Sequence, residues 1–415
     1  MIDLIMGAIL AKFLKDSTTE KKIDKRLKIK ALDNIRGSIT AIVHTRASKE
    51  SILKHFEKCG ASLKYELPFI DSYVVEIPCE SIKKLASNRD VIFISDDSEV
   101  KSTLNIATKV IGSKSVNESG YTGKGIGIAF LDTGVYPHPD LTEPENRIIA
   151  FKDFINGKQK PYDDNGHGTH VAGDAASNGY SSNGKYRGVA PEANIIGVKV
   201  LDAAGRGNTS DILAGMQWVV DNADKYNIRI VSLSLGDKAV LPYFLDPMAR
   251  GCEKLWQQGF VVTVAAGNNG PEPRTITTPG ISPSAITVGA LDDRRTVDTS
   301  DDEVAYFSSR GPTSSGRLKP DVLAPGVNIV SLNRSPMSMG ASSFLFEKMY
   351  RTASGTSMAT PMVAGAAALL LQKNPHLTPS QVKNIMIKTA KPLNGKDKYA
   401  EGYGVIDINA MIQQA

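Results

Sequence analysis

The sequence predicts an α/β fold built around a mainly parallel sheet and preceded by a small α+β module, and three observations lead there. Beyond residue 100, near-continuous apolar runs (GIGIAFLD, NIIGVKVLD, IRIVSLSLG, FVVTVAAGN, AITVGAL) alternate with helical stretches. Strands of this kind are buried on both faces, as in a parallel sheet covered by helices. Ahead of them, residues 39–96 read β-α-β-β-α-β, a ferredoxin-like order. The length, 415 residues, exceeds one small core and leaves room for two domains of unequal size.

Taken in order, residues 1–38 form a basic N-terminal extension. Its lysine-rich part, 15–38, carries few large apolar side chains and reads as helical or flexible, with little core of its own. MIDLIMGAILAKFL has Asp3 where a basic leader belongs, Lys12 breaks its apolar stretch, and no small-residue cleavage site follows. It is therefore not read as a secretion signal. Residues 39–100 form the small module. ITAIVHT is a strand, SKESILKHFEKCG a helix with Ile52 and Phe56 on one face, SLKYELP and SYVVEIP two strands, ESIKKLASN a helix presenting Ile82 and Leu85, and DVIFIS the closing strand. Residues 101–415 form the large domain, whose helices include TSDILAGMQWVVDNA and DPMARGCEKLWQQG.

Composition narrows the function. Charge is +5 over the whole chain, distributed as +4, −2 and +3 over the three parts, without the clustered basic face that binding phosphate requires, so nucleic acid is not an expected partner. No apolar run reaches the ~20 residues of a membrane helix. Three cysteines, Cys59, Cys79 and Cys252, stand in a non-metal spacing with only one in the large domain, which suits a reducing compartment. The expected location is cytoplasmic, with export by another route left open.

Four residues carry the chemistry. Active sites of open parallel sheets lie beyond the carboxyl ends of the strands, where Asp132 follows GIGIAFL and Asn268 follows FVVTVAAG. An isolated aspartate there is usually a turn or cap residue, so context must decide. In NGHGTHVAGDAAS, glycines precede an Ala-rich helix that places His167 at or near its first turn. His170 is three residues on rather than four and no glutamate intervenes, which argues against a zinc helix and for a general base. In ASGTSMATPMVAGAAALLLQ, a helix from about Met358 has Ser357 at its entrance and Pro361 in its first turn. A serine there is most often an N-cap, but its N–H can also serve a developing oxyanion.

The chain order Asp, His, Ser in LDTGVYPHPDL, DDNGHGTHVAGD and SGTSMATP, with VSLSLG and VAAGN between, resembles the subtilase family of serine proteases over roughly 101–415. YRGVAPEANIIGVKVL and FSSRGPT…KPDVLAPGVNI resemble most its AprX-type intracellular branch. The resemblance implies a subtilisin-like three-layer fold and an endopeptidase. In it Ser357 is the nucleophile, His167 the base, Asp132 its orienting carboxylate and Asn268 the oxyanion donor. It further implies that Ser234, Leu235 and Gly236 pair with the backbone of an extended polypeptide, and that Ala265, Ala266 and Gly267 line the specificity pocket. Asp237 replaces a second glycine common in the family.

Residues 39–100 resemble the family's inhibitory prodomain, expected to assist folding and to hold its tail, about Asp96 to Lys101, in the cleft until autocleavage near Val100 to Ser102. No cofactor is expected for catalysis. A structural calcium is compatible with the family, Asp140 matching a ligand position of some members, while the ligand set stays unknown. Activity should fall below about pH 6–7, where imidazole protonates.

Two other readings stay open at this point. FLDTG with VDTS at 297–300 also suits an aspartic protease, although that class needs two carboxylates sharing a proton and an all-β fold. A pseudoprotease would bind peptides along Ser234–Gly236 without cutting them.

Overall fold

The structure, a computed structural model, describes residues 19–33, 37–97, 99–102, 110–294, 299–334, 349–393 and 397–415. The apolar N-terminal stretch and the start of VDTS at 297–300 lie outside them. The chain divides into two compact units, Met1–Asp97 and Ser98–Ala415.

In the first unit β1 (Ser38–Thr45), α1 (Lys49–Lys58), β2 (Ser62–Leu67), β3 (Ser72–Pro78), α2 (Ile82–Ala86) and β4 (Val91–Asp96) follow one another in the order read from the sequence. They make an antiparallel sheet of order β2-β3-β1-β4. Ser48 caps α1 by accepting the Ser51 N–H. The helix faces meet the sheet through Ile52, Phe56, Ile82 and Leu85, all buried. Burying such a side chain contributes ~1.5–3 kcal/mol, which is how these helices are held to the sheet.

The basic extension is helical in part, as expected, but joins the core of this unit. A helix, Lys25–Asp33, lies in it. Ile23 and Leu27, two of its few apolar residues, are buried in the core of this unit, with the Asp24 N–H donating to Ile94 O at 2.8 Å. Lysine density hid a short apolar face. Asp96, expected in the cleft-binding tail, instead ends β4 opposite Ala41 and pairs with Lys30 at 2.8 Å.

The second unit opens with β5 (Glu99–Ser102) and builds its main sheet from β6 (Gly127–Asp132), β7 (Ile148–Asp153), β8 (Asn194–Lys199), β10 (Ile228–Leu233), β12 (Val261–Ala265), β13 (Ile286–Asp292), β14 (Glu303–Val304) and β15 (Val322–Pro325). The order is β14-β13-β12-β10-β6-β8-β7, with β15 also on β13, and every pairing is parallel except β13–β14. The mainly parallel α/β fold is thus as expected. β7 escaped the sequence reading because it is an edge strand with a mixed burial pattern, and β15 because it is four residues long and ends in proline. The helix Thr356–Lys373 is buried from Thr356 to Leu371 and shares the core with the His167–Ala176 helix.

Candidate active site

Asp132 is the last residue of β6, at the carboxyl end of the sheet, and is buried. Its Oδ1 accepts the Thr133 N–H at 2.7 Å and meets His167 Nδ1 at 2.6 Å. An ionised carboxylate only accepts, so Nδ1 carries the proton and Nε2 of the neutral ring is left as the basic nitrogen. His167 is the first residue of its helix. Gly166 supplies the left-handed turn before it, with φ 101°, which a side chain would strain. Gly168 permits the close approach, since a Cβ there would stand 2.1 Å from Gly134 O and 3.1 Å from Asp132 Cβ.

Ser232 pairs with Phe130, so Ser234, just past β10, emerges beside Asp132. Ser234 and Ser357 are bonded reciprocally: Ser234 Oγ donates to Ser357 O at 2.7 Å, and Ser357 Oγ donates to Ser234 O at 3.1 Å. The first bond has a covalent cause. The Ser357 helix begins at Thr356, so Pro361 falls in the second turn rather than the first. Lacking an N–H, Pro361 cannot donate to the carbonyl four residues back, that of Ser357, which instead accepts from the Ser234 hydroxyl.

Asn268 follows β12 and is partly buried. Its Oδ1 accepts from Thr356 N at 2.9 Å and Thr356 Oγ1 at 3.0 Å, while Gly267 N–H donates to Thr356 Oγ1 at 3.2 Å. With Oδ1 committed, the amide orientation is set and Nδ2 is the donor end. Asp132, His167, Ser357 and Asn268 therefore belong to one continuous set of strand ends and helix mouths.

Leu235–Gly236 is a short strand, β11, and pairs antiparallel with β5, Leu235 opposite Ser102 and Gly236 opposite Lys101. The other edge of β5 pairs with β9 (Arg206–Asn208). The chain's own segment thus lies as a middle strand between two short edges. Ala265 and Ala266 are buried, and Ala266 is tied to its neighbours through Val288 O and the Thr277 N–H. Asp237 exchanges two backbone hydrogen bonds with Thr278, at 3.0 and 2.9 Å, continuing the edge past Gly236.

Residues 123–405 match the subtilase family profile. The chain belongs to the subtilase family. It is 51% identical over 348 residues to serine protease AprX of Bacillus subtilis strain 168, covering 80% of this chain and 74% of that protein. It is 32% identical to subtilisin E of the same organism over 360 residues (85% and 84%) and to an alkaline protease of Alkalihalobacillus alcalophilus over 355 residues (85% and 82%). This subtilase is a serine protease acting on polypeptides, and among its described residues no helix is long and apolar enough to cross a membrane. An aspartic-protease reading falls with the parallel α/β fold.

The position matched to a calcium ligand is already held by protein donors. In this subtilase the Asp140 carboxylate, fully buried, accepts from Ser181 N–H at 2.8 Å, Ser177 Oγ at 3.0 Å and Tyr350 OH at 2.7 Å. Arg147, whose pKa burial lowers to about 10, donates to the Asp140 carbonyl at 2.5 Å and brings positive charge beside it. Protein donors thus take two sites on Oδ2 and one on Oδ1. Among described residues no group of three or more acidic, histidine or cysteine side chains is arranged for a metal.

Sequence reasoning missed Thr356, the Arg206–Asn208 edge and Tyr350. The first lay in view inside SGTSMATP; the glycines of AAGRGN were the only sign of the second, and nothing local marked Tyr350.

Proposed function

We propose that this subtilase cleaves extended or unfolded polypeptides through an acyl-enzyme on Ser357, and that it is made as a zymogen holding its own segment in the cleft until it cuts itself. The observation that carries the reading is the 2.6 Å His167–Asp132 contact at a buried strand end, next to Ser234 and its bonded partner Ser357. Ser357 Oγ attacks the carbonyl carbon and His167 Nε2 takes its proton. The imidazolium, stabilised by Asp132, returns that proton to the leaving amine; water then hydrolyses the ester by the same base. Asn268 Nδ2 donates to the oxyanion, a contribution typically of ~3 kcal/mol.

The strand mode of β5 supports backbone-first recognition, in which main-chain bonds give affinity and side chains secondary preference. Such a site accepts many sequences but demands an extended chain, and Ala265, Ala266 and Gly267 would line its side-chain pocket. Because Ser102 lies opposite Leu235, one residue from Ser234, the register supports processing near the Ser102 end of the expected window. The small unit would then be the inhibitory prodomain. The three cysteines are buried free thiols, which supports a cytoplasmic location.

The test is intact-mass analysis of the parent and Ser357→Ala beside fluorophosphonate labelling. The expected result is a cut parent, a full-length variant and a label on Ser357. An unlabelled parent as long-lived as the variant and equally inert toward casein would establish the pseudoprotease reading instead.

A further inference from the structure

We infer that Asp163 is a positioning residue for the reaction, setting the distance between the strand end that carries Asp132 and the helix that carries His167. This rests on the roles proposed above for Asp132 and His167. Asp163 is buried in the loop preceding the His167 helix, and all its hydrogen bonds run to residues flanking the pair. Oδ1 accepts Thr133 Oγ1–H at 2.9 Å, Asn165 N–H at 3.0 Å and Gly166 N–H at 2.7 Å. Oδ2 accepts Thr169 N–H at 2.9 Å and Thr169 Oγ1–H at 2.7 Å.

One oxygen therefore holds the residue after Asp132 together with the residue before His167, and the other holds the first turn of the helix. The loop closes through Thr133 Oγ1, which also accepts the Gly168 N–H at 2.9 Å. Thr133 is thereby bonded to both Asp163 and the helix. A backbone bridge between Gly134 and Asp163 reinforces the link. On the far side, Lys199 Nζ donates to Thr133 O at 2.7 Å and Asp164 Oδ1 at 2.6 Å. An acceptor-only group is required at Asp163: five donors converge on two oxygens, and an amide would turn an N–H into one set of them.

The two sides of the pair come from separate pieces of chain, so their separation is set by whatever bridges them. A shift of ~1 Å in such geometry can cost 10²-fold in rate. The test uses the protein expressed as the whole chain and isolated after processing, with kcat and KM on a peptide substrate, rates per fluorophosphonate-titrated site, and melting temperature. Asp163→Asn is expected to lower kcat ~10–100-fold with KM within about two-fold, because the interaction acts on the reacting groups rather than on binding. Thr133→Val should give a loss in the same direction, Thr133→Ser should recover most of it, and Asp163→Asn with Thr133→Val should be no worse than Asp163→Asn alone.

Parental kcat in Asp163→Asn, a raised KM at unchanged kcat, or additive losses in the double variant would each overturn the inference. If Asp163→Asn does not fold, the threonine pair still decides: equal kcat for valine and serine sinks it. Fluorophosphonate labelling of Ser357 in the same preparations separates this failure from failure of the protease mechanism, since a labelled and fully active Asp163→Asn removes only the role of Asp163.

Discussion

Three buried His–Asp pairs occupy one short stretch of this chain, and only one has the geometry of a catalytic dyad. His167 and Asp132 meet at 2.6 Å, His170 and Asp174 at 3.0 Å, and His138 and Asp140 at 3.6 Å. In the last pair both ring nitrogens are committed: Nδ1 accepts the Asp140 N–H at 3.1 Å and Nε2–H donates to Met349 O at 3.0 Å. Its carboxylate already accepts from Ser177, Ser181 and Tyr350. His170 and Asp174 lie one turn apart inside a helix buried along its length, and burial pushes the Asp174 carboxyl up toward its neutral form. His138 also stands at a helix start, as an N-cap, but only His167 directs Nδ1 to a carboxylate at a strand end. A contact between imidazole and carboxylate is thus no evidence of function; committed partners set the His138 pair apart, and a place inside a buried helix sets the His170 pair apart.

Substitution at the three acids is the strongest way to break that comparison. Asp132→Asn should lower kcat by ~10⁴ while leaving substrate binding, because the imidazole loses its tautomer and the imidazolium its counter-charge. Asp140→Asn should leave kcat per titrated site near parental and act on stability alone. Equal kcat losses at the two positions would erase the distinction.

A smaller effect concerns Tyr350, the hydroxyl on Asp140. Tyr350→Phe removes one donor from a buried acceptor and should destabilise by about 1–3 kcal/mol in denaturant unfolding. The difference between parent and variant should be the same with calcium or with a chelator. A calcium-dependent difference would show that Asp140 is a metal ligand after all.

The smallest effect is the pH slope from His138, whose pKa is lowered from 6.5, chiefly by burial. Below 6.5 and down to the folded-state value, the unfolded chain binds the proton and the folded chain does not. Stability from this group is therefore complete above that window and lost as pH falls through it. His138→Gln should flatten this part of the stability–pH curve, and an unchanged slope would assign it elsewhere.

Much of this could be read from residue order. The five apolar runs fall in the central sheet because period-free hydrophobicity marks double-sided burial, and the helix starting at His167 was visible in its glycines and alanines. What escaped has a physical reason in each case. β7 is half exposed, so its pattern is mixed. Ile23 and Leu27 are diluted by lysines. Thr133, Asp163 and Tyr350 are ordinary polar residues whose importance lies in partners distant in sequence, and no local period records those. Pro361 was noticed, but placed in the wrong turn, because the helix begins two residues earlier than its apolar run.

On the roles proposed above for Ser234 and Ser357, their reciprocal bonds couple a ruler to a blade. A guest chain laid one residue out of step would present its carbonyl ~3.3 Å away, with the opposite face turned inward, and the blade could not drift to follow. Fragments released from a long substrate should therefore reflect where the chain can lie flat more than which letters it spells: a broad palate with strict spacing.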